Sequence, residues 1–315
     1  MVYILSQYKK SNTSDQTGLS IKPNIPNTYN ESYKITLSLP EGDFEFPNDL
    51  PLLKNTPLKT MTFEEAKKIA ANFGYTTEPK TANDIEEGTT YIWTGANGNL
   101  LIYSKTRRTS YSSSKGLDAI NKQLSDDAMI QLGSDFAASH FGIDNQKIQF
   151  SGFVFYNALP NKGELTLANR PNANIYQINY TVAQTDYPLL TLNPANTVLY
   201  VRLLKDGSVN SAIYTDLSGL EKSQEEFKLK NFKQLQDTLS EAVIVTLDNG
   251  NINPGQIKQG DITSIEINKI SLAYLMDSRT STSFAPVYLL EGSAQIKSLT
   301  QNISAQLYLP AITDN

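Results

Sequence analysis

The sequence predicts an α+β protein of roughly two to three domains, arranged as serial modules in which a short helix packs on antiparallel β-sheet. Two observations carry that expectation. The stretch "TFEEAKKIAANFG", Thr62 to Gly74, returns as "TLSEAVIVTLDNG", Thr238 to Gly250, with Thr, Glu, Ala and Gly at matching offsets. Between and after these stretches, apolar and polar residues alternate with the period of a strand that has one face against a core. A short helix cannot bury its apolar stripe alone, and a small sheet cannot hide its apolar face, so each copy reads as one helix plus the strands that cover it. Recurrence by chance is the competing explanation, because capping boxes and glycine stops are common. The expected divisions are a flexible polar stalk over 1–32, a helix-plus-hairpin module over 33–115, a central helix-plus-sheet module over 116–220 and a C-terminal module over 221–315.

In the first copy Thr62 caps a helix while Glu65 reaches back to its backbone N–H. Phe63, Ala66, Ile69, Ala70 and Phe73 then share a face, and Gly74 supplies the left-handed stop before Tyr75. "TTYIWTG" and "NLLIYSK", around Asn97-Gly98, read as a hairpin. A second helix is expected from a Ser125 cap, with Asp126 and Asp127 at the positive end of its dipole and a buried stripe of Met129, Leu132, Phe136 and Ala137. Antiparallel strands follow at "KIQFSGFVFY", "NIYQINYTV", "TVLYVRLL" and "SVNSAIY", the last two joined at Asp206-Gly207. Tyr176, Ile178, Tyr180 and Val182 alternate with Gln177, Asn179 and Thr181, which predicts one buried face and one wet face. The segment "LEKSQEEFKLKNFKQLQD" is expected to cross between domains. The β-branched run "AVIVTL" suits a strand as well as a helix, and the repeat favours the helix. "ITSIEINKISLAYLM", "FAPVYLLEG" and "ISAQLYLPAI" complete a final sheet, with "DSRTSTS" as an exposed connection.

Composition narrows the function. The 315 residues are 39% hydrophobic, enough for substantial cores, and the net charge of −5 without a long basic run argues against nucleic acid as a partner. The absence of cysteine excludes disulfides, thiolate zinc sites and a cysteine nucleophile. His140 is the single histidine, which removes histidine clusters and Ser-His-Asp triads; it reads as a partly buried helix-end residue that favours the dipole. No cofactor is expected. "MVYIL" is too short for the apolar segment of a signal peptide or a spanning helix. Residues 6–32 are rich in Ser, Thr and Asn, with Pro23 and Pro26, and have the composition of a stalk. A stalk ahead of a folded body suggests a membrane anchor upstream of it; an ordinary frayed terminus is the alternative.

Several patterns resemble catalytic or metal motifs and fall short of them. Ser112 and Lys115 have S-x-x-K spacing without its companion elements, so a flexible Ser-rich loop is the better reading. Asn249, Asn251 and Asn253 alternate as in a calcium loop but lack acidic ligands. Glu64-Glu65, Glu86-Glu87, Asp126-Asp127 and Glu225-Glu226 are paired acids that mostly open helices or sit in loops. Lys105, Arg107 and Arg108, beside Tyr103 and Tyr111, form a basic patch suited to an acidic partner or anionic polymer, and are the candidate interaction surface. A sheet edge offers a further mode, strand addition.

The "TFEEAKKIAANFGY" helix with its "YIW" strand, the "EA" at Glu241-Ala242 before Gly250, "ISLAYL" at Ile270 to Leu275 and "PVYLLEG" at Pro286 to Gly292 together resemble the PepSY-like and YycH/YycI-like bacterial proteins. The resemblance implies a membrane-anchored α+β protein outside the cytoplasm that regulates by binding a protein or peptide at the membrane or cell envelope, without catalysis. The chain departs from that pattern in lacking the membrane segment, so membrane contact would run only through an anchor ahead of the stalk. The alternatives are a protease inhibitor or propeptide-like chaperone on the same fold, and a cell-envelope carbohydrate enzyme using a carboxylate pair.

Overall fold

The structure is a computed structural model that describes residues 22–27, 33–56, 58–117, 124–158, 165–182, 185–248, 257 and 260–313. Most of the expected stalk and the Asn249 to Asn253 stretch lie outside the described residues. The architecture is broadly α+β but mostly β, with two sheets and few helices.

The first sheet has nine strands: β3 (Lys80–Asp84), β4 (Gly88–Gly95), β5 (Gly98–Tyr103), β6 (Arg108–Ser113), β7 (Ile148–Ala158), β8 (Leu165–Leu167), β9 (Ile175–Val182), β11 (Leu199–Leu204) and β12 (Val209–Thr215). Their spatial order is β3-β4-β5-β6-β12-β11-β9-β7-β8, antiparallel throughout. Helix α1 (Phe63–Asn72) starts as its sequence dictates: Glu65 N–H donates to Thr62 Oγ1 at 3.3 Å, and Thr62 N–H donates to Glu65 Oε2 at 2.7 Å. Gly74 ends it at φ 80°, a conformation that costs glycine little, and Tyr75 N–H closes on Ala70 O. Helix α2 (Asp126–Phe136) begins at the expected Ser125 cap and widens into a π turn over Ala137–Phe141.

The buried stripe of α2 differs from the expected one. Met129, Gly133 and Ala137 face the sheet, while Leu132 is 39% exposed. Tyr180 is the reason. Its hydroxyl donates to Ile130 O at 2.7 Å, and a Cβ on Gly133 would fall 2.2 Å from the Tyr180 Oη. The two helices and one face of the nine-stranded sheet enclose a core that includes Trp93, Leu100, Ile102, Ile178 and Val201. Trp93 is 1% exposed, and its indole N–H donates to Thr77 O.

The second sheet has eight strands: β1 (Lys34–Leu37), β2 (Asp49–Asn55), β10 (Leu189–Thr191), β13 (Leu220–Lys228), β14 (Val243–Asp248), β15 (Ile262–Met276), β16 (Ser283–Ile296) and β17 (Ile303–Pro310). The main path is β1-β15-β16-β17-β14, and β2 joins β13 to β16. This sheet is not purely antiparallel: β1 and β10 both run parallel to β15, at Lys34↔Ser264 and Leu189↔Tyr274. Buried tyrosines tie it to its surroundings. Tyr274 donates to Pro51 O, Tyr288 to Lys230 O and Tyr308 to Thr191 O, and burial pushes all three hydroxyl pKa values up.

Hydrogen bonding cuts across the expected module boundaries. Pairing of β6 with β12 joins stretches on either side of residue 115 into one sheet, while β1, β2 and β10 belong with the C-terminal strands. Strand pairing is a non-local choice, and alternation along the chain does not encode the partner.

The second copy of the repeat forms no matching helix. Helix α3 (Phe232–Asp237) lies before it, capped reciprocally by Asn231 and Gln234; Thr238 is its C-terminal cap, and "VIVTLD" is β14. β-branched residues lose rotamer freedom in a helix and pack well in a strand, so composition prevailed over punctuation. The segment expected to cross between domains is strand β13 followed by α3. Ser112 lies within β6 rather than in a flexible loop, and Lys115 Nζ pairs with Asp206 at 2.5 Å.

Candidate interaction groove between the two sheets

The face of the nine-stranded sheet opposite the helices was expected to be wet and is buried at its centre. Gln177 is 0%, Asn179 6% and Thr181 8% exposed. The segment between β10 and β11 crosses over them and supplies partners. Gln177 Nε2 donates to Ala195 O at 2.6 Å and to Asn179 Oδ1 at 2.8 Å, Asn179 Nδ2 donates to Ala195 O, and Arg202 Nε donates to Gln177 Oε1. Every member of this group is engaged, which removes the cost of burying amides.

Toward β6 the same face carries Arg108, whose guanidinium lies 3.9 Å from the centre of the Tyr103 ring. Arg108 Nη2 donates to Glu87 Oε1 at 3.0 Å, and Thr106 Oγ1 donates to Glu87 Oε2. Arg279, on the connection between β15 and β16, reaches from the other sheet to the same Glu87 Oε1 through Nη1. One carboxylate with a side chain 9% exposed thus serves two arginines, of which Arg108 is 13% and Arg279 56% exposed. Arg202, Arg108 and Arg279 also act electrostatically on Tyr200, whose pKa burial raises and these cations lower.

Two clefts flank Arg279. One, of about 320 Å³, runs past Asn193, Asn196, Tyr200 and Asp277; the other, of about 170 Å³, runs past Asn55, Lys105, Arg107 and Asp216. Both include Thr215, Met276 and Arg279, so they adjoin and together make a grooved surface along the junction of the sheets. Arg107 separates the second cleft from a third of about 310 Å³ on the helix side, lined by Met61, Ile69, Phe141 and Tyr214. Arg107 sits at φ 52°, a left-handed conformation that is costly for a bulky residue. Its side chain holds the turn in place: Nε donates to Asp216 at 2.9 Å and Nη1 donates to Lys59 O.

The structure therefore brings Lys105, Arg107, Arg108 and Tyr103 to this junction and sends Tyr111 elsewhere. Tyr111 packs against Phe73 and Phe136 on the helix face and donates to Asn97 O. Lys105 Nζ donates to Ile85 O. Glu87 and Arg279 were the residues missed as site members. The sequence offered an acidic pair before a strand and a lone arginine in a Ser/Thr connection, and nothing that linked positions 192 residues apart.

His140 lies half-buried in the π turn, stacked on Phe136 at a ring separation of 4.1 Å, with Nδ1 3.1 Å from Phe136 O. Burial lowers its pKa below the ordinary 6.5, and the Phe136 carbonyl offsets part of that. Among the described residues no group of three or more His, Asp or Glu side chains forms a metal site. No helix among them is long and apolar enough to cross a membrane.

No protein-family profile and no curated protein matches the chain. Among solved structures it is similar to an uncharacterized protein from Eubacterium rectale ATCC 33656, with a TM-score of 0.51 and 9% identity over 86% of this chain and 87% of that one. At that identity the likeness is one of fold alone.

Proposed function

We propose that this chain is a non-enzymatic binding module that works outside the cytoplasm, in the manner of the PepSY-like and YycH/YycI-like regulatory proteins its sequence resembles. It meets a protein or peptide partner along the groove between the two sheets. The observation behind this reading is the chemistry of the lining. Guanidinium, amide and hydroxyl groups are set within a larger apolar surface that includes Leu217, Met276 and Phe284, so the lining can both bury a partner's apolar groups and recognise it by hydrogen bonding. The two acids in the groove are already held: Asp216 by Arg107, and Asp277 by Ser281 Oγ and the backbone N–H of Asn24.

A second reading, a protease inhibitor or propeptide-like chaperone, draws on β3. That strand lies at the edge of its sheet, pairs with β4 and exposes all five of its residues, so a partner strand can add to it. The test of the first reading is protease shaving of intact source cells, combined with a photo-crosslinking residue in place of the exposed Ser278. Cleavage from outside together with crosslinking to one discrete protein supports it. A protein that is protected inside the cell sinks it, and inhibition of a peptidase by the purified chain would move the weight to the second reading.

A further inference from the structure

We propose that the groove receives an extended acidic peptide whose side-chain carboxylate engages Arg279 and Arg108 in competition with the internal Glu87. This rests on the reading of the groove as a partner surface and names the chemistry of that partner. Three observations converge on it. The first is charge. Lys105, Arg107, Arg108 and Arg279 stand along the groove against Asp216, Asp277 and the internal Glu87, a small local excess of positive charge in a chain whose net charge is −5. Local charge opposite in sign to the whole attracts acidic ligands and spares the rest of the surface from them.

The second observation concerns unused hydrogen-bonding capacity. Among the described residues three buried side-chain polar atoms have no partner, and two of them, Arg108 Nε and Asn55 Oδ1, belong to residues that line this groove. A buried guanidinium N–H without an acceptor is costly, and a ligand oxygen relieves that cost. Asn55 Oδ1 is an acceptor where Arg108 Nε is a donor, so a residue of one cleft holds an unused acceptor and a residue of the other an unused donor.

The third observation is shape. The two clefts adjoin at Arg279, and amide and hydroxyl groups from Asn193, Asn196, Thr106 and Thr280 line them. A free dicarboxylate would occupy only the part at Arg279, whereas an extended chain spans both. Arg279 is 56% exposed and reaches Glu87 through one nitrogen, so its fork can swing to a ligand carboxylate without opening either core.

Calorimetric titration with an acidic hexapeptide of alternating Asp and Glu, its Asn/Gln counterpart, and glutarate tests the proposal. The acidic peptide is expected to bind with salt-dependent affinity and the amide peptide not to bind. Arg279→Met should weaken binding at least tenfold. Glu87→Gln removes the internal competitor and should tighten binding, with a larger peptide-induced rise in melting temperature than the wild type shows; a merely structural role for Glu87 would give the opposite sign. Absence of saturable binding, or an Arg279→Met variant that binds as the wild type does, overturns the inference and leaves the crosslinking result to judge the broader reading. Glutarate binding as tightly as the peptide also overturns it, because the groove would then be a small-molecule site.

Discussion

On the helix-bearing face of the nine-stranded sheet, Ile178, Tyr180 and Val201 share a mainly apolar core with α1 and α2; on the opposite face of the same strands, Gln177 and Asn179 meet a crossing segment through hydrogen bonds, and Arg202 donates to Gln177. Both faces are buried at their centres, and they respond to change differently. An apolar face loses stability in proportion to the volume removed, while a polar network loses it whenever one member is left without its partner. The polar face also continues outward to the clefts around Arg279, while the cleft on the helix side is lined by Met61, Ile69, Phe141 and Tyr214. The proposed binding groove thus lies where burial is already maintained by polar groups.

The largest effect that could break this comparison is expected at Met129, which is fully buried between α2 and the sheet. Met129→Ala should cost about 2–5 kcal/mol in chemical denaturation. A loss under about 1 kcal/mol would mean that α2 is not part of the core. A smaller effect is expected at Gln177. Gln177→Leu preserves bulk but strands Arg202 Nε and Asn179 Oδ1, and should cost about 1–3 kcal/mol. Stabilisation by this substitution would show that the polar face is no network at all.

The smallest effect depends on pH. Because burial lowers the His140 pKa, the imidazole is mainly neutral in both states at about pH 7.5 and above. As the pH falls below about 6.5 the unfolded chain takes up a proton before the native state does, so stability drops until the lower native pKa is passed. Denaturation midpoints at pH 7.5 and 5.5 should therefore diverge less in His140→Gln than in the wild type. Equal divergence would place the imidazole in water on the helix side.

What the sequence made legible was local. The Thr62 and Ser125 caps, the Gly74 stop, the hairpin at Asn97-Gly98 and most strands follow from contacts a few residues apart. The repeat at Thr238 misled because matching punctuation does not outweigh β-branched residues once a strand partner, β17, is at hand. Gln177 and Asn179 looked solvent-facing because their cover comes from a segment whose path alternation does not record. The candidate site was half legible: Lys105, Arg107 and Arg108 stood out as a basic cluster. Their neutralising partners Glu87 and Asp216, and the fourth cation Arg279, come from three separate stretches, and only the packed sheets bring them together.

Trp93, the single tryptophan, is fixed in β4 with its indole bound to Thr77, inside the core that the nine-stranded sheet shares with α1 and α2. Its emission is therefore a private optical channel for that half of the molecule, while the eight-stranded sheet, with its buried tyrosines, contributes to far-ultraviolet dichroism without adding to that signal. Following both signals through one denaturant titration separates the two halves with no label introduced. Coincident curves would show that the Glu87–Arg279 junction couples the sheets into one cooperative unit, and staggered curves would show each melting on its own.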